Sequence, residues 1–339
     1  MELAACPSPT VPTASRDTKL LNIRSDWPRQ LPRPGDTIDL AYLAPLVQQQ
    51  IANVPSEALV QTISNNRYTV SSLANQIESW VTHGFPLGHD GSLSGKHYTP
   101  NYKSSLEFRS GVTKSLLKRL DTNKTAGPFA WTGDLADLPF QDCAVNPIGA
   151  VRYKYEPDRA RACDDPHINQ ATLPPGFSIT AMQQIRDGAF PCCSWYKSDV
   201  ASAFPCMPLP QTDLPWMMFT WYHPDDTDFQ GTDKDCIYVH THGNFGPRPY
   251  PHHFTMLMLY VNLAARTLGL DLPPAFIDDN IHCGIHDDLL IQAPRYHAHL
   301  AKAGLTDKPE KRELLRCMGD TTGAWFDSTR FTLITPQDN

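Results

Sequence analysis

The run Phe276-Ile277-Asp278-Asp279-Asn280-Ile281 sets two adjacent carboxylates inside apolar sequence. Nothing else in the chain constrains its folding as tightly. Side chains alternate along a strand, so neighbouring carboxylates cannot both face one way unless they lie in a turn. Residues 275–285 are therefore predicted to form two short strands meeting at Asp278-Asp279-Asn280. Carboxylates between apolar strands cost free energy unless they are paired or bind a metal. The chain has three other Asp-Asp pairs, Asp164-Asp165, Asp225-Asp226 and Asp287-Asp288. Most such pairs are surface turns, and the pair at 278 is set apart by its apolar flanks.

With 339 residues the chain can bury a sizeable core and form about two domains. Its 31 prolines predict short segments broken by turns, which argues against long helices or a repeat array. Nine cysteines without a Cys-x-x-Cys spacing, and no signal peptide, lead to the expectation of reduced thiols and an intracellular protein, in cytoplasm or nucleus. No apolar stretch reaches the roughly 18 residues needed to span a bilayer, so no membrane partner is expected. His282, Cys283 and His286 fit no strong zinc spacing and read as structural or surface residues.

The net charge of −7 counts against nucleic-acid binding, but binding depends on where charge sits. Lys96, Lys103, Arg109, Lys114, Lys118, Arg119 and Lys124 form one basic stretch. Arg295, Lys302, Lys308, Lys311, Arg312 and Arg316 form another. Solvated helix faces are the plain alternative for both.

Along the chain, residues 1–35 read as a disordered tail rich in Pro, Ser and Thr. Residues 36–130 read as a helical N-terminal segment. Apolar stripes occur at Leu40, Leu43, Leu46 and Val47 and at Leu73, Ile77, Trp80 and Val81. A helix over 104–120 should stop at Gly127-Pro128. Residues 144–180 read as a hairpin with Glu156-Pro157-Asp158 as its turn. Strands are expected at 194–200, 216–222, 236–241 and 323–334, and helices at 251–268, with Phe254, Leu257, Met258, Val261 and Leu268 on one side, and at 287–303. Helices and strands mix without a βαβ rhythm, which predicts an α+β fold.

Phosphoryl transfer from a triphosphate uses two divalent ions about 3.5–4 Å apart. Mg²⁺ takes hard oxygen ligands, often one or two carboxylates with phosphate oxygens and water. Asp199 at a strand end and Asp278 and Asp279 at a hairpin turn suit that demand.

These residues carry a resemblance. Asp199 followed five residues later by Phe204 looks like motif A of reverse transcriptases, and Phe245-Gly246 through Phe254 looks like motif B. Phe276-Ile277-Asp278-Asp279 resembles motif C. Residues 304–311 are similar to motif D and residues 323–328 to motif E. Asn146 to Val151 with Lys154 and Arg161 resembles the fingers hairpin. Gly84-Phe85-Pro86-Leu87-Gly88 and Thr125-Ala126-Gly127-Pro128-Phe129 resemble the segment preceding the polymerase in retrotransposons carrying a tyrosine recombinase (DIRS/Ngaro type). The likeness covers about residues 45–336.

The resemblance implies a fold of reverse-transcriptase-like fingers and palm with an antiparallel palm sheet and the thumb largely absent. Fingers would span 131–195, and the palm through motif E would span 196–339. It implies RNA-directed DNA polymerisation with Mg²⁺, or Mn²⁺ in its place, on an RNA or DNA template with primer and dNTPs. RNase H and recombinase domains of a longer polyprotein would be partners. Asp199, Asp278 and Asp279 would hold the metals. Phe204 would be the steric gate against a ribose 2′-hydroxyl. Phe245 and Gly246 would line the nucleotide pocket, with Gly246 letting backbone approach the base pair. Lys154 and Arg161 would clamp the triphosphate, with Arg159 competing for the place of Arg161. Lys311 would protonate departing pyrophosphate, with Lys308 as the alternative. Pro247, Arg248, Pro249 and Tyr250 depart from the small residues usual after the motif B glycine and threaten to crowd the template. A polymerase relic that only binds nucleic acid and a two-metal hydrolase are the rival readings.

Overall fold

The computed structural model describes residues 18–28, 37–53, 59–63, 66–153, 156–166, 194–270, 275–276, 279–316, 318–321, 324–327 and 332–334. Lys154, Asp278 and most of the expected tail lie outside these residues.

The first apolar stripe forms α1 (Leu40–Asn53), with Leu43 and Val47 fully buried. The helical reading of the N-terminal segment is interrupted between its two apolar stripes. Leu59–Ile63 (β1) and Asn66–Thr69 (β2) pair as an antiparallel hairpin with Ile63 opposite Asn66. Pro55 ends the first helix, and Asn65-Asn66 is turn chemistry between β-branched and aromatic residues, which favours a hairpin over a continued helix. The second stripe is α2 (Val70–His83). Its N-cap Thr69 accepts a hydrogen bond from the Ser72 backbone at 3.1 Å, and Ser72 Oγ accepts one from the Thr69 backbone at 2.9 Å.

Next come β3 (Lys96–Tyr98), α3 (Lys103–Glu107) and α4 (Arg109–Asp121). The helix ends at Asp121, not at Gly127-Pro128, because Asn123 turns the chain with φ 54°. Gly127-Pro128 instead lies within β4 (Thr125–Ala130). That strand sits at a sheet edge, and its pairing with β10 shifts register between Phe129 and Ala126, so the proline falls at a bulge where its missing N–H is tolerated. After β5 (Cys143–Asn146), β6 (Ile148–Tyr153) and β7 (Glu156–Asp164) form the expected basic hairpin. Glu156-Pro157-Asp158 opens β7 rather than making the turn, since a proline is tolerated at a strand start.

The remaining elements are β8 (Ser194–Asp199), β9 (Met218–Trp221), β10 (Cys236–His240), α5 (Tyr250–Thr267), β11 (Ala275–Phe276), β12 (Asp279–Gly284) and α6 (His286–Lys302). They are followed by β13 (Glu313–Arg316), β14 (Met318–Thr321), β15 (Ala324–Asp327) and β16 (Thr332–Ile334). A five-stranded sheet runs β3-β5-β9-β10-β4, with β5 parallel to both β3 and β9. A four-stranded antiparallel sheet runs β11-β12-β8-β13.

Helix α5 was expected to bury one side. It is buried all round, with Pro251, His252, Arg266 and Thr267 its only residues not buried, because it runs between α1, α2 and β11. Leu268, expected on the buried side, follows the helix and is 37% exposed. No helix among the described residues is long and apolar enough to cross a membrane.

Candidate active site

Strand β8 is the spine of the site. Alternation sends Tyr196 and Ser198 to the buried face of the four-stranded sheet, opposite His282 and Asn280 of β12. Tyr296 of α6 locks that face: its hydroxyl lies 3.0 Å from Asn280 Oδ1 and 3.1 Å from Asn262 Oδ1. His282 packs edge-on against Tyr196 and Tyr296, and burial pushes its imidazole down to about 3, which suits a neutral core side chain. The same register sets Asp279 opposite Asp199. Phe276 pairs with Asp279, so the link between β11 and β12 falls at residues 277 and 278. It lies one residue earlier than expected, and Asp279 and Asn280 belong to the strand.

The Asp199 carboxylate is 3% exposed and lies between two ammonium groups. Lys308 Nζ donates to Oδ1, and Lys311 Nζ donates to Oδ2 at 2.5 Å. Backbone bonds bring these lysines there: Lys308 N–H to Asp199 O at 2.9 Å and Ala201 N–H to Thr306 O at 2.6 Å. Asp307 anchors the segment by accepting both Nε and Nη2 of Arg312, the latter at 2.8 Å, and by facing His297 Nδ1 at 3.1 Å. The Arg312 bond holds the Asp307 carboxyl below its usual range.

The aromatic pocket follows directly. Phe204 is 7% exposed and meets Phe245 edge-on at 5.1 Å, with Phe254 and Tyr250 behind it. The Arg161 guanidinium of β7 lies 4.2 Å from the Phe245 ring centre, within cation–π range. Arg159 belongs to the same strand. The β6–β7 hairpin thus touches the 244–246 loop.

Two expectations change at that loop. Gly246 has φ +126°, and a Cβ there would stand 1.7 Å from the Asp164 carbonyl oxygen, so the close backbone approach recorded here is to Asp164. Pro247, Pro249 and Tyr250 are buried, leaving Gly246 and Arg248 as the exposed residues of the turn. The bulk that threatened to crowd a template is packed inward.

Sequence reasoning missed a buried polar network behind this loop. Asp164, read as surface turn, is 6% exposed, and Arg119, counted among solvated basic residues, is 8% exposed. Arg119 donates from Nε to Thr125 Oγ1 at 3.2 Å, from Nη1 to Asn244 Oδ1 at 3.2 Å and from Nη2 to His240 Nδ1 at 3.1 Å. Arginine can only donate, so His240 Nδ1 accepts and the ring hydrogen sits on Nε2. Nε2 then donates to Asp164 Oδ1 at 3.1 Å, and Asn244 Nδ2 donates to Asp164 Oδ2 at 2.8 Å. Burial pulls Arg119 down to about 10 and lowers His240. One local signal was present: Thr241, His242 and Asn244 continue an apolar strand with polar residues before the Phe245-Gly246 pair.

Among the described residues no group of three His, Cys, Asp or Glu side chains is placed to hold a metal. The described donor set is the single buried carboxylate of Asp199. Both of its oxygens accept from lysines, so a divalent ion there would have to displace an ammonium group.

The sequence matches no family model and no curated protein. Among solved structures it is similar to a foamy viral protease-reverse transcriptase in complex with dsDNA, with a TM-score of 0.51 and 13% identity over 91% of this chain and 58% of that one. It is also similar to a Prototype Foamy Virus protease-reverse transcriptase CSH mutant, with a TM-score of 0.52 and 12% identity over 93% of this chain and 38% of that one. The chain spans less than two thirds of either protein. At such identities the likeness speaks to architecture: this chain has an α+β, reverse-transcriptase-like fold.

Proposed function

We propose that this chain is the fingers–palm core of an RNA-directed DNA polymerase from a retroelement, of the tyrosine-recombinase type that its upstream segments resemble. The observation that carries the reading is the register of β8 with β12. It sets Asp199 and Asp279 opposite each other at one sheet end, beside an aromatic pocket capped by an arginine from the basic hairpin. A hydrolase needs no sugar gate, so the Phe204–Phe245 contact supports polymerisation over hydrolysis.

In this reading Asp199, Asp278 and Asp279 hold Mg²⁺, with Mn²⁺ as a substitute. When bound, the ions would activate the primer 3′-hydroxyl and neutralise the charge of the triphosphate. The protein's own residues do the rest. Arg161, with Lys154, grips phosphate oxygens of the incoming dNTP, an arginine fork being suited to them. Phe204, braced by Phe245, closes the space a ribose 2′-hydroxyl would need. Lys311, or Lys308, stands at the Asp199 carboxylate ready to give a proton to departing pyrophosphate. Template and primer lie across the sheet end, and RNase H and recombinase domains complete the machinery in a longer polyprotein.

Primer extension on an RNA template with dNTPs and Mg²⁺ or Mn²⁺ tests this, beside Asp199→Ala and Asp278→Asn. Synthesis is expected from the wild type and from neither variant. Wild-type levels of synthesis by Asp278→Asn would sink the metal assignment. Template binding that weakens steeply with salt, without any incorporation, would favour the relic.

A further inference from the structure

The network behind the pocket does more than neutralise itself. Asp164 is the last residue of β7 and meets the 244–246 loop at three points. Its backbone N–H donates to Phe245 O at 2.8 Å, its carboxylate accepts from Asn244 Nδ2, and its carbonyl lies where a side chain at 246 would be. His240 of β10 holds it from the opposite side and is held in turn by Arg119 of α4. Phe245 is thereby fixed between Phe204 on one side and Arg161 on the other. Asp164 and Arg161 lie on one strand, so a shift of Asp164 moves the phosphate grip and the aromatic brace together.

We propose that Asp164 is a positioning residue for the nucleotide pocket, seating the 244–246 loop so that Phe245 braces Phe204 and thereby setting discrimination between deoxy- and ribonucleoside triphosphates. This rests on the polymerase reading above. The carboxylate touches no substrate and acts through Asn244 and Phe245. Losing its charge loosens both bonds it accepts and lets the brace drift, which costs nucleotide affinity and selectivity rather than turnover.

The test is steady-state incorporation of dATP and of ATP by the full chain on primed RNA, for wild type, Asp164→Asn and Asn244→Ser, with melting temperatures measured alongside. Asp164→Asn is expected to raise KM for dATP about tenfold, to leave kcat within about threefold, and to shrink the dATP/ATP ratio of kcat/KM. Asn244→Ser, a smaller change at the same bond, should move KM and the ratio in the same direction. A variant that melts lower but keeps KM and the ratio at wild-type values would overturn the proposal and leave Asp164 a structural residue. If the wild type neither incorporates nor binds dATP, the polymerase reading falls and takes this inference with it. Incorporation by the wild type with unchanged variants would sink the inference alone.

Discussion

Two charge clusters flank the aromatic pocket, and they are built oppositely. Behind it, Arg119 and Asp164 are both buried; His240 and Asn244 stand between them, and each nitrogen of the guanidinium finds an acceptor. In front, Asp199 is equally buried but its partners are 30% and 53% exposed lysine side chains reaching in from one loop. The rear cluster can lose no member without stranding a charge in low dielectric. The front cluster can, because a released lysine returns to water. Under the proposed function the difference separates scaffold from site: fixed charge where the loop is held still, exchangeable charge at the carboxylate assigned to the metals.

The largest test of that contrast is stability. Arg119→Met should lower unfolding free energy by about 3–5 kcal/mol, since it leaves Asp164 buried without its compensating cation. Asp199→Asn should change it by less than about 1 kcal/mol, with stabilisation as acceptable an outcome as loss. Urea denaturation of the two variants decides, and equal losses would erase the distinction drawn here.

Taken ring by ring, the response to acid is smaller. Burial holds His242 at about 2, His253 at about 4 and His282 at about 3, against 6.5 in an unfolded chain. Below 6.5 the unfolded chain binds protons that these folded rings refuse, so stability falls as pH drops. The fall is about 1.4 kcal/mol per pH unit for each ring kept neutral, ending as each folded ring protonates. Denaturation midpoints at pH 7 and pH 5 should show it, and His282→Gln should flatten the slope. A midpoint unchanged across that range would mean the rings are solvated. The smallest effect expected is at the exposed Lys103–Glu107 pair, 3.7 Å apart: Lys103→Ala should cost under about 0.5 kcal/mol, giving a baseline for a charge that neither cluster uses.

What could be read from the chain alone follows from range. Half-buried elements announce themselves, so α2, β8 and β10 and the basic hairpin were legible from spacing. Helix α5 was found, but a helix buried on all sides has no stripe, and its one-sided reading failed for that reason. Gly127-Pro128 misled because it was judged by local turn chemistry, when its place at a bulge of an edge strand tolerates the proline. The order of Asp199, Phe204, Phe245, Gly246 and Asp279 could be recognised because each lies in a short pattern with fixed spacing. Arg119, Asp164, His240 and Asn244 could not, since what joins them is contact across as many as 125 positions and no local period records it.

The Tyr296 hydroxyl bears on a quantity measured in single residues. Were β12 to slide by one position along β8, Asn280 would leave Tyr296, His282 would exchange a buried ring-lined niche for the opposite face, and position 279 would no longer oppose 199. A polar clasp in the interior thus acts as a ratchet on the strand, and the facing of positions 199 and 279 at the sheet end inherits its accuracy from a tyrosine buried on another helix.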